Sequence, residues 1–245
     1  MPESIVLLHG FGGTRHAWDG VVAHLDAQRY RPLALDLPGH GGAGAEAQAP
    51  VTFDSCMARV LDHAPATFVL AGYSLGGRIA LHVALAAPER VQRLVLVSST
   101  AGIEDPGERE RRRRADDRLA DELETEPYEQ FIERWRAQPL FADEPARVRE
   151  LALEDQRRNA PASLARALRG VGTGEMESLW GRLGELQMPV EVVAGSRDEK
   201  FLDIARRLAE LIPNARLHVL DGGHALALEC PRELAAVLEG EAAAG

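Results

Sequence analysis

The sequence predicts an α/β fold, a doubly wound and mostly parallel β-sheet with an inserted helical cap. Six short apolar runs are nearly continuous in valine, leucine, isoleucine and alanine, as expected of parallel strands covered on both faces. Helical stretches separate these runs. A charged, helical block without convincing strands interrupts the spacing between the fourth and the fifth run, so we expect an insertion there.

The predicted elements alternate along the chain. The strands are expected at residues 4–8, 32–36, 67–71, 93–98, 190–194 and 216–220. Helices are expected, among others, at residues 17–28, 78–87, 201–211 and 232–239. In such folds, ligands bind at the carboxyl ends of the strands.

The predicted division of the chain is a core of residues 1–98 and 187–245 and a helical cap of residues 99–186. A cap over the carboxyl ends of the strands would exclude water and form the substrate pocket. We therefore expect specificity to depend on cap residues.

Composition narrows the possible functions. The 245 residues carry a formal net charge of −10, which argues against general affinity for nucleic acid or anionic membranes. No apolar stretch approaches the roughly 20 residues that span a bilayer, and the N-terminal residues enter the first strand without a signal-like segment, so we expect a cytoplasmic protein. No glycine-rich phosphate loop or histidine cluster occurs, so no cofactor and no metal are expected. A monomer or small homo-oligomer is expected.

The most informative motif is Gly-Tyr-Ser-Leu-Gly at residues 72–76, between an apolar strand and a helix. This context predicts a nucleophile elbow, in which Ser74 occupies a sharp and strained turn. Side chains at the flanking glycines would collide with the neighbouring strand or helix. The backbone N–H of Leu75, at the start of the helix, can point at developing negative charge.

Two further segments support a catalytic interpretation. His-Gly-Phe-Gly-Gly at residues 9–13 follows the first strand, and the N–H of Phe11 is the expected second oxyanion donor. Asp198 follows the fifth strand and His224 follows the sixth. The resulting order, serine then aspartate then histidine, differs from the orders found in the two serine protease classes.

Each of these residues also has an ordinary structural explanation. The elbow pentapeptide occurs in ordinary loops, Asp198 lies in a turn-like segment, and His224 alone could be a satisfied loop histidine. The elbow, the oxyanion loop and the chain order together favour a Ser74–His224–Asp198 triad.

Arginine is concentrated in parts of this acidic chain. Most arginines of residues 109–114 are expected on a solvated helix face, balanced by nearby acidic residues. One or two could face inward and converge with Arg78 and with Arg157 and Arg158. Because arginine suits bidentate carboxylate binding, this pattern predicts a small, multiply anionic substrate. For Trp135, core packing and a place in the pocket wall both stay open.

These residues resemble the α/β-hydrolase superfamily over the whole chain. More narrowly, the chain resembles the family of 2-succinyl-6-hydroxy-2,4-cyclohexadiene-1-carboxylate synthases of menaquinone biosynthesis. The narrower resemblance is carried by Gly-Tyr-Ser-Leu-Gly-Gly-Arg at residues 72–78, by the arginine-rich start of the cap, by Gly-Thr-Gly at residues 172–174 and by Asp198, Lys200 and Phe201. One departure is Ala225, where the family usually has asparagine after the histidine.

The resemblance implies a lyase that uses hydrolase machinery. The implied reaction is 1,4-elimination of pyruvate from 2-succinyl-5-enolpyruvyl-6-hydroxy-3-cyclohexene-1-carboxylate, a tricarboxylate. By position, it assigns Ser74, Asp198 and His224 to the triad. It also assigns a set of substrate-binding residues: Tyr73, Arg78, Arg112, Trp135 and one of Arg157 or Arg158.

Two other hypotheses stay open at this stage. The same triad could serve a serine hydrolase acting on an ester or a carbon–carbon bond of a small carboxylate-bearing substrate. A non-catalytic ligand receptor could also use this fold, although such a protein would not need all three triad members.

Overall fold

A computed structural model describes residues 2–45 and 50–240. Within these residues, six parallel strands form one sheet in the order β2-β1-β3-β4-β5-β6. The strands are β1 (Glu3–Leu8), β2 (Tyr30–Leu35), β3 (Phe68–Tyr73), β4 (Val91–Val97), β5 (Val190–Gly195) and β6 (Ala215–Leu220). The predicted fold class and all six predicted strands are confirmed.

Eleven α-helical segments accompany the strands in the described part of the chain. They are α1 (Asp19–Val22), α2 (Gly41–Ala45), α3 (Phe53–His63), α4 (Leu75–Ala86), α5 (Pro106–Thr125), α6 (Tyr128–Arg136), α7 (Ala146–Gln156), α8 (Pro161–Val171), α9 (Glu199–Leu211), α10 (Leu226–Glu229) and α11 (Pro231–Leu238). The core lies on both faces of the sheet, and β1 and β3 are almost completely buried.

The strand order places the site at a topological switch point. β1 lies between β2 and β3, so the chain leaves β1 toward one edge of the sheet and later continues from β3 toward the other. Ligands of such sheets bind in the crevice outside the carboxyl ends of the strands at this point. The loop after β1 and the elbow after β3 therefore face the same crevice.

The predicted helix at residues 17–28 is wrong in length. The chain instead forms a 3-10 turn (Arg15–Trp18) and the single-turn α1, followed by turns that lead into β2. Gly20 and the β-branched pair Val21 and Val22 lie in this stretch, and these residue types have low helix propensity.

The edge strands also differ from the expectation that both faces are covered. In β6, Leu217 and Val219 are exposed, because β6 is the outermost strand on its side of the sheet. Pro32 lies within β2, at the opposite edge, where a residue without an N–H donor is tolerated.

Between β4 and β5, helices α5 to α8 pack around an apolar cluster of their own, which includes Leu123, Phe131, Ile132 and Leu168. Trp180 and Leu183, near the end of this stretch, pack against the main core instead. The division into core and cap at residues 99–186 stays a prediction. In the described ranges, no helix is both long and apolar enough to cross a membrane.

Candidate active site

The turn between β3 and α4 holds Ser74 in strained backbone geometry. Ser74 has φ of 52° and ψ of −107°, a backbone conformation that residues other than glycine rarely adopt. A Cβ atom at Gly72 would lie 2.2 Å from the carbonyl oxygen of Gly76, and one at Gly76 would lie 2.2 Å from that of Leu8. Glycine is therefore required on both sides of the serine, by α4 on one side and by β1 on the other.

Hydrogen bonds to neighbouring strands stabilise this turn. The Ser74 N–H donates to the carbonyl oxygen of Val97 at 2.9 Å. The Ser99 hydroxyl donates to the carbonyl oxygen of Ser74, also at 2.9 Å. The main chain of Ser74 is thus fixed by β4 and the loop after it, and its hydroxyl faces the crevice.

His224 and Asp198 meet Ser74 at this crevice. The Nε2 atom of His224 lies 3.2 Å from the Oγ atom of Ser74, and its Nδ1 atom lies 2.7 Å from the Oδ2 atom of Asp198. The other carboxylate oxygen of Asp198 accepts the N–H of Phe201 at 3.3 Å, which caps α9. Because α9 holds this carboxylate, Asp198 orients the imidazole with Nδ1 protonated and Nε2 toward the serine.

His224 is buried and ringed by aromatic side chains. The rings of Phe201, Tyr73 and Phe141 lie 4.5, 5.4 and 5.9 Å from the imidazole. Burial lowers the pKa of His224, and the hydrogen bond and charge of Asp198 act in the opposite direction. The imidazole is therefore neutral at neutral pH and able to accept a proton.

Two backbone N–H groups beside Ser74 have no acceptor among the described residues. They belong to Phe11, in the loop after β1, and to Leu75, the first residue of α4. Backbone donors without a protein partner can stabilise negative charge on a ligand, and the start of α4 adds the favourable helix dipole at Leu75.

The crevice opens into a cavity of about 750 Å³ under helices α5, α6 and α8. Residues of the sheet core and of these helices contribute to its walls. They include Phe11, Ser74, Arg78, Ser99, Arg112, Trp135, Gln138, Asp143, Leu168, Gly172, Arg197, Asp198, Lys200, Phe201 and His224.

Arg78 is a buried cation in this cavity. Its Nη1 donates to the carbonyl oxygen of Val171 at 2.7 Å, and no acidic side chain of the described residues pairs with it. Burial lowers the pKa of Arg78 to about 10, and the neighbouring Arg112 also lowers it. Arg78 therefore stays charged at neutral pH and can attract an anion.

Arg112 is the member of residues 109–114 that lines the cavity. Its Nε donates to buried Asp116 at 2.8 Å, which turns the guanidinium inward. Arg113 and Arg114 pair with Glu110 instead.

Two cavity cations were not among the predicted substrate-binding residues. Arg197 is paired with Asp221 at 2.9 Å and with Glu229 at 2.7 Å. Lys200, at the exposed mouth, has no acidic partner among the described residues, and its Nζ lies 5.6 Å from the Phe201 ring centroid. It is the single lysine of the 245-residue chain, a signal that the sequence already contained.

Tyr73 lies on the other side of Ser74. It lines a smaller cavity of about 70 Å³ that shares Phe11, Ser74 and His224 with the large one. Arg136, also buried, lines this second cavity and pairs with Glu144. Burial raises the pKa of Tyr73, so its hydroxyl stays protonated.

The structure places Arg157 and Arg158 outside both cavities, which corrects their expected position. Arg157 donates to Glu129 at 3.0 Å, and Arg158 to Glu154 at 3.1 Å, on the exposed surface. Helix α7 ends at Gln156, and the turn that follows directs Asn159 inward instead.

Trp135 combines both roles that were left open. It is half-buried, lines both cavities and packs edge-to-face on Phe11 with ring centroids 5.1 Å apart. In the described part of the chain, no group of three or more His, Cys, Asp or Glu side chains could hold a metal ion.

The parallel sheet, the strained serine turn and the neighbouring histidine and aspartate define a protein of the α/β-hydrolase class. The alpha/beta hydrolase fold family model matches residues 3–231. The 2-succinyl-6-hydroxy-2,4-cyclohexadiene-1-carboxylate synthase of Klebsiella pneumoniae subsp. pneumoniae is 34% identical over 90% of this chain and 86% of its own. The enzyme of the same name from Serratia proteamaculans is 30% identical over 96% of this chain and 91% of its own.

A solved structure, MenH from S. aureus, superimposes with a TM-score of 0.91 at 32% identity, covering 97% of this chain and 92% of that one. The chain therefore belongs to the α/β-hydrolase family and, within it, to the group that contains the 2-succinyl-6-hydroxy-2,4-cyclohexadiene-1-carboxylate synthases.

Proposed function

We propose that the protein is a lyase that eliminates pyruvate from 2-succinyl-5-enolpyruvyl-6-hydroxy-3-cyclohexene-1-carboxylate. The product is 2-succinyl-6-hydroxy-2,4-cyclohexadiene-1-carboxylate. The observation that carries the proposal is one cavity lined by the Ser74–His224 pair and by Arg78 and Lys200. Neither of these two cations has an acidic partner among the described residues. The family relationship supports the same activity.

The chemistry begins with proton transfer. His224, oriented by Asp198, takes the proton of the Ser74 hydroxyl, and the serine oxygen takes the ring proton beside the succinyl ketone. The electron pair of the broken C–H bond moves onto the ketone oxygen as an enolate. The N–H groups of Phe11 and Leu75 stabilise this oxyanion, and losing one such donor typically costs about 3–4 kcal/mol.

Collapse of the enolate completes the elimination. As the ketone re-forms, the ring gains a double bond at C2, the existing double bond shifts to C4, and the C5–O bond breaks. The enolpyruvate that leaves takes a proton and becomes pyruvate. Atoms and charge balance without a covalent acyl-serine.

The cationic lining supports a multiply anionic substrate. Arg78 is buried and without an acidic partner among the described residues, so its desolvated charge favours a carboxylate as ligand. Among the described residues, Arg112 bonds to Asp116 only through its Nε, which leaves its terminal nitrogens available toward the cavity. These groups supply the local positive potential that a trianion needs to approach a protein of net charge −10.

The test compares two assays on the same preparation. Pyruvate release from the tricarboxylate, followed with lactate dehydrogenase, is expected to be fast, whereas p-nitrophenyl acetate turnover is expected to be negligible. Mass spectrometry of the quenched reaction is expected to find no acyl-serine. Rapid ester turnover without pyruvate release would contradict the proposal and favour the serine hydrolase.

A further inference from the structure

The end of α7 is hydrogen-bonded to the loop of residues 9–14, which carries the Phe11 N–H. One carboxylate oxygen of Asp155 accepts the N–H of Thr14 at 2.8 Å, and the other accepts the Thr14 hydroxyl. Thr14 is 1% exposed and Asp155 is 7% exposed. A residue of the cap region thus holds the far end of this loop from a distance of 141 positions along the chain.

Asn159 makes a second connection to the same loop. Its Nδ2 donates to the carbonyl oxygen of Gly12 at 2.8 Å, and its Oδ1 accepts the N–H of Gly41 at the same distance. The amide group therefore ties together the loops that follow β1 and β2. Asn159 is itself buried, so these bonds do not compete with bulk water.

The glycines of the loop fit this close approach. A Cβ atom at Gly12 would lie 3.1 Å from the Gln156 amide nitrogen, and one at Gly13 would lie 3.3 Å from Asp155 Oδ2. Gly12 also has φ of +75°. Side chains at these positions would crowd the end of α7. The packing of α7 against the loop therefore favours glycine at residues 12 and 13, in addition to the backbone conformation of the turn.

The orientation of the Phe11 N–H follows from the carbonyl of the same peptide. The Gly10 carbonyl oxygen accepts the N–H of Gly13 at 3.1 Å and the Nδ1–H of His9 at 2.8 Å. Nδ1 carries the proton because Nε2 of His9 accepts the N–H of Leu37. In a trans peptide, fixing the C=O direction fixes the N–H in the opposite direction.

We propose that Asp155 and Asn159 are positioning residues for the oxyanion donor. By holding Gly12 and Thr14, they keep Gly13 bonded to Gly10 and so keep the Phe11 N–H aimed at the site. This proposal rests on the oxyanion role assigned to Phe11 above, but not on the identity of the substrate. According to this proposal, the end of α7 and the turn after it hold the loop of residues 9–14 in its active conformation.

Three variants test the proposal. Asp155→Ala removes both bonds to Thr14, and Asn159→Asp replaces the donor to Gly12 with an oxygen while keeping the acceptor for Gly41. Asp155→Asn can still accept the Thr14 N–H and donate to its hydroxyl, so it is the conservative rescue. The matched control is Glu154→Gln in the same turn. Glu154 forms an exposed pair with Arg158, which also lies 3.7 Å from Asp155, so this control disturbs Arg158 while leaving both bonds to Thr14 in place.

The readout is the split between kcat and KM, measured well below each variant's melting temperature. For Asp155→Ala and Asn159→Asp, kcat is expected to fall roughly 10- to 100-fold with KM within about 3-fold, because a misplaced donor weakens only transition-state binding. Asp155→Asn and Glu154→Gln are expected to stay within about 3-fold of the parent. A rise in KM alone, or unchanged kcat in a folded variant, would overturn the proposal.

Amide hydrogen exchange of a peptide covering residues 9–14 gives a readout that does not need turnover. Exchange is expected to accelerate in Asp155→Ala and Asn159→Asp but not in the control. Should the parent hydrolyse p-nitrophenyl acetate and not release pyruvate, the proposed function fails, and the same kcat comparison is made on the ester. Unchanged exchange in all variants would overturn the positioning role whichever substrate is used.

Discussion

The Nε2 atom of His224 lies 3.2 Å from the Oγ atom of Ser74, across 150 positions of the chain. The two side chains reach this distance because β3 and β6 end at the same edge of one parallel sheet. His224 is in turn held by Asp198, whose Oδ2 atom lies 2.7 Å from its Nδ1 atom. The pair is therefore the part of the molecule whose removal tests the proposed chemistry most directly.

Ser74→Ala is expected to lower kcat at least roughly 10³-fold, because it removes the hydroxyl that lies 3.2 Å from Nε2 of His224. Binding of the ring product, measured by isothermal titration calorimetry, is expected to change less than about 3-fold. Ser55→Ala, at the exposed N-terminus of α3, is the control and should keep full activity. Full turnover by Ser74→Ala would contradict the triad.

Asp198→Asn is expected to lower kcat roughly 10³- to 10⁴-fold, because the amide no longer holds the Nδ1–H tautomer. Activity requires neutral His224, so it is lost as pH falls through the His224 pKa, which burial sets below 6.5. Asp198 raises that pKa, so its loss moves the acid limb of the residual kcat/KM to still lower pH. A pH–rate profile whose acid limb moves to higher pH would contradict this assignment.

Arg78→Met is expected to weaken binding of the ring product roughly 10- to 100-fold, since the buried site loses a charge-assisted hydrogen bond. Arg78→Lys keeps the positive charge but loses the planar guanidinium that binds a carboxylate through two hydrogen bonds, so an intermediate dissociation constant is expected. The control, Arg206→Gln, removes an exposed charge that pairs with Asp203 on α9. Equal affinities for the parent and Arg78→Met would exclude Arg78 from the anion site.

Much of the fold was predictable because its signals are local. The six apolar runs are short and continuous, and each became a strand within about two residues of its predicted bounds. The Ser74 turn was predictable for the same reason, since Gly72 and Gly76 are adjacent to it in sequence. The start of helix α3 is less clearly marked in the sequence, because its capping box uses Ser55 where glutamate or glutamine gives the stronger signal.

The inward face of the cap was harder to predict. Arg157 and Arg158 were expected in the pocket, but α7 ends just before them, so helical periodicity no longer indicates their direction. Asn159, which faces inward, contacts Gly12 across 147 positions. Nothing local in the sequence marks such a contact, and it depends on how the cap packs against the loop after β1.

Lys200 offers a chemical test that few proteins allow, because amine-selective acetylation of this chain can reach only Lys200 and the amino terminus. Acetylation is expected to lower kcat/KM for the tricarboxylate about 3- to 10-fold, a modest effect because the exposed ammonium is screened by solvent and salt. The ring product is expected to protect the amine, and 0.5 M salt is expected to shrink the difference, roughly as screening predicts.

The matched control for this experiment is Lys200→Arg, which keeps the positive charge and leaves the reagent only the amino terminus. It is expected to be active and insensitive to acetylation. Lys200→Gln gives an independent test. Lys200 lowers the pKa of His224, so removing its charge is expected to move the acid limb of the pH–rate profile to higher pH. Equal inactivation of Lys200→Arg and the parent would show that the amino terminus is responsible, and Lys200 would then have no place in substrate binding.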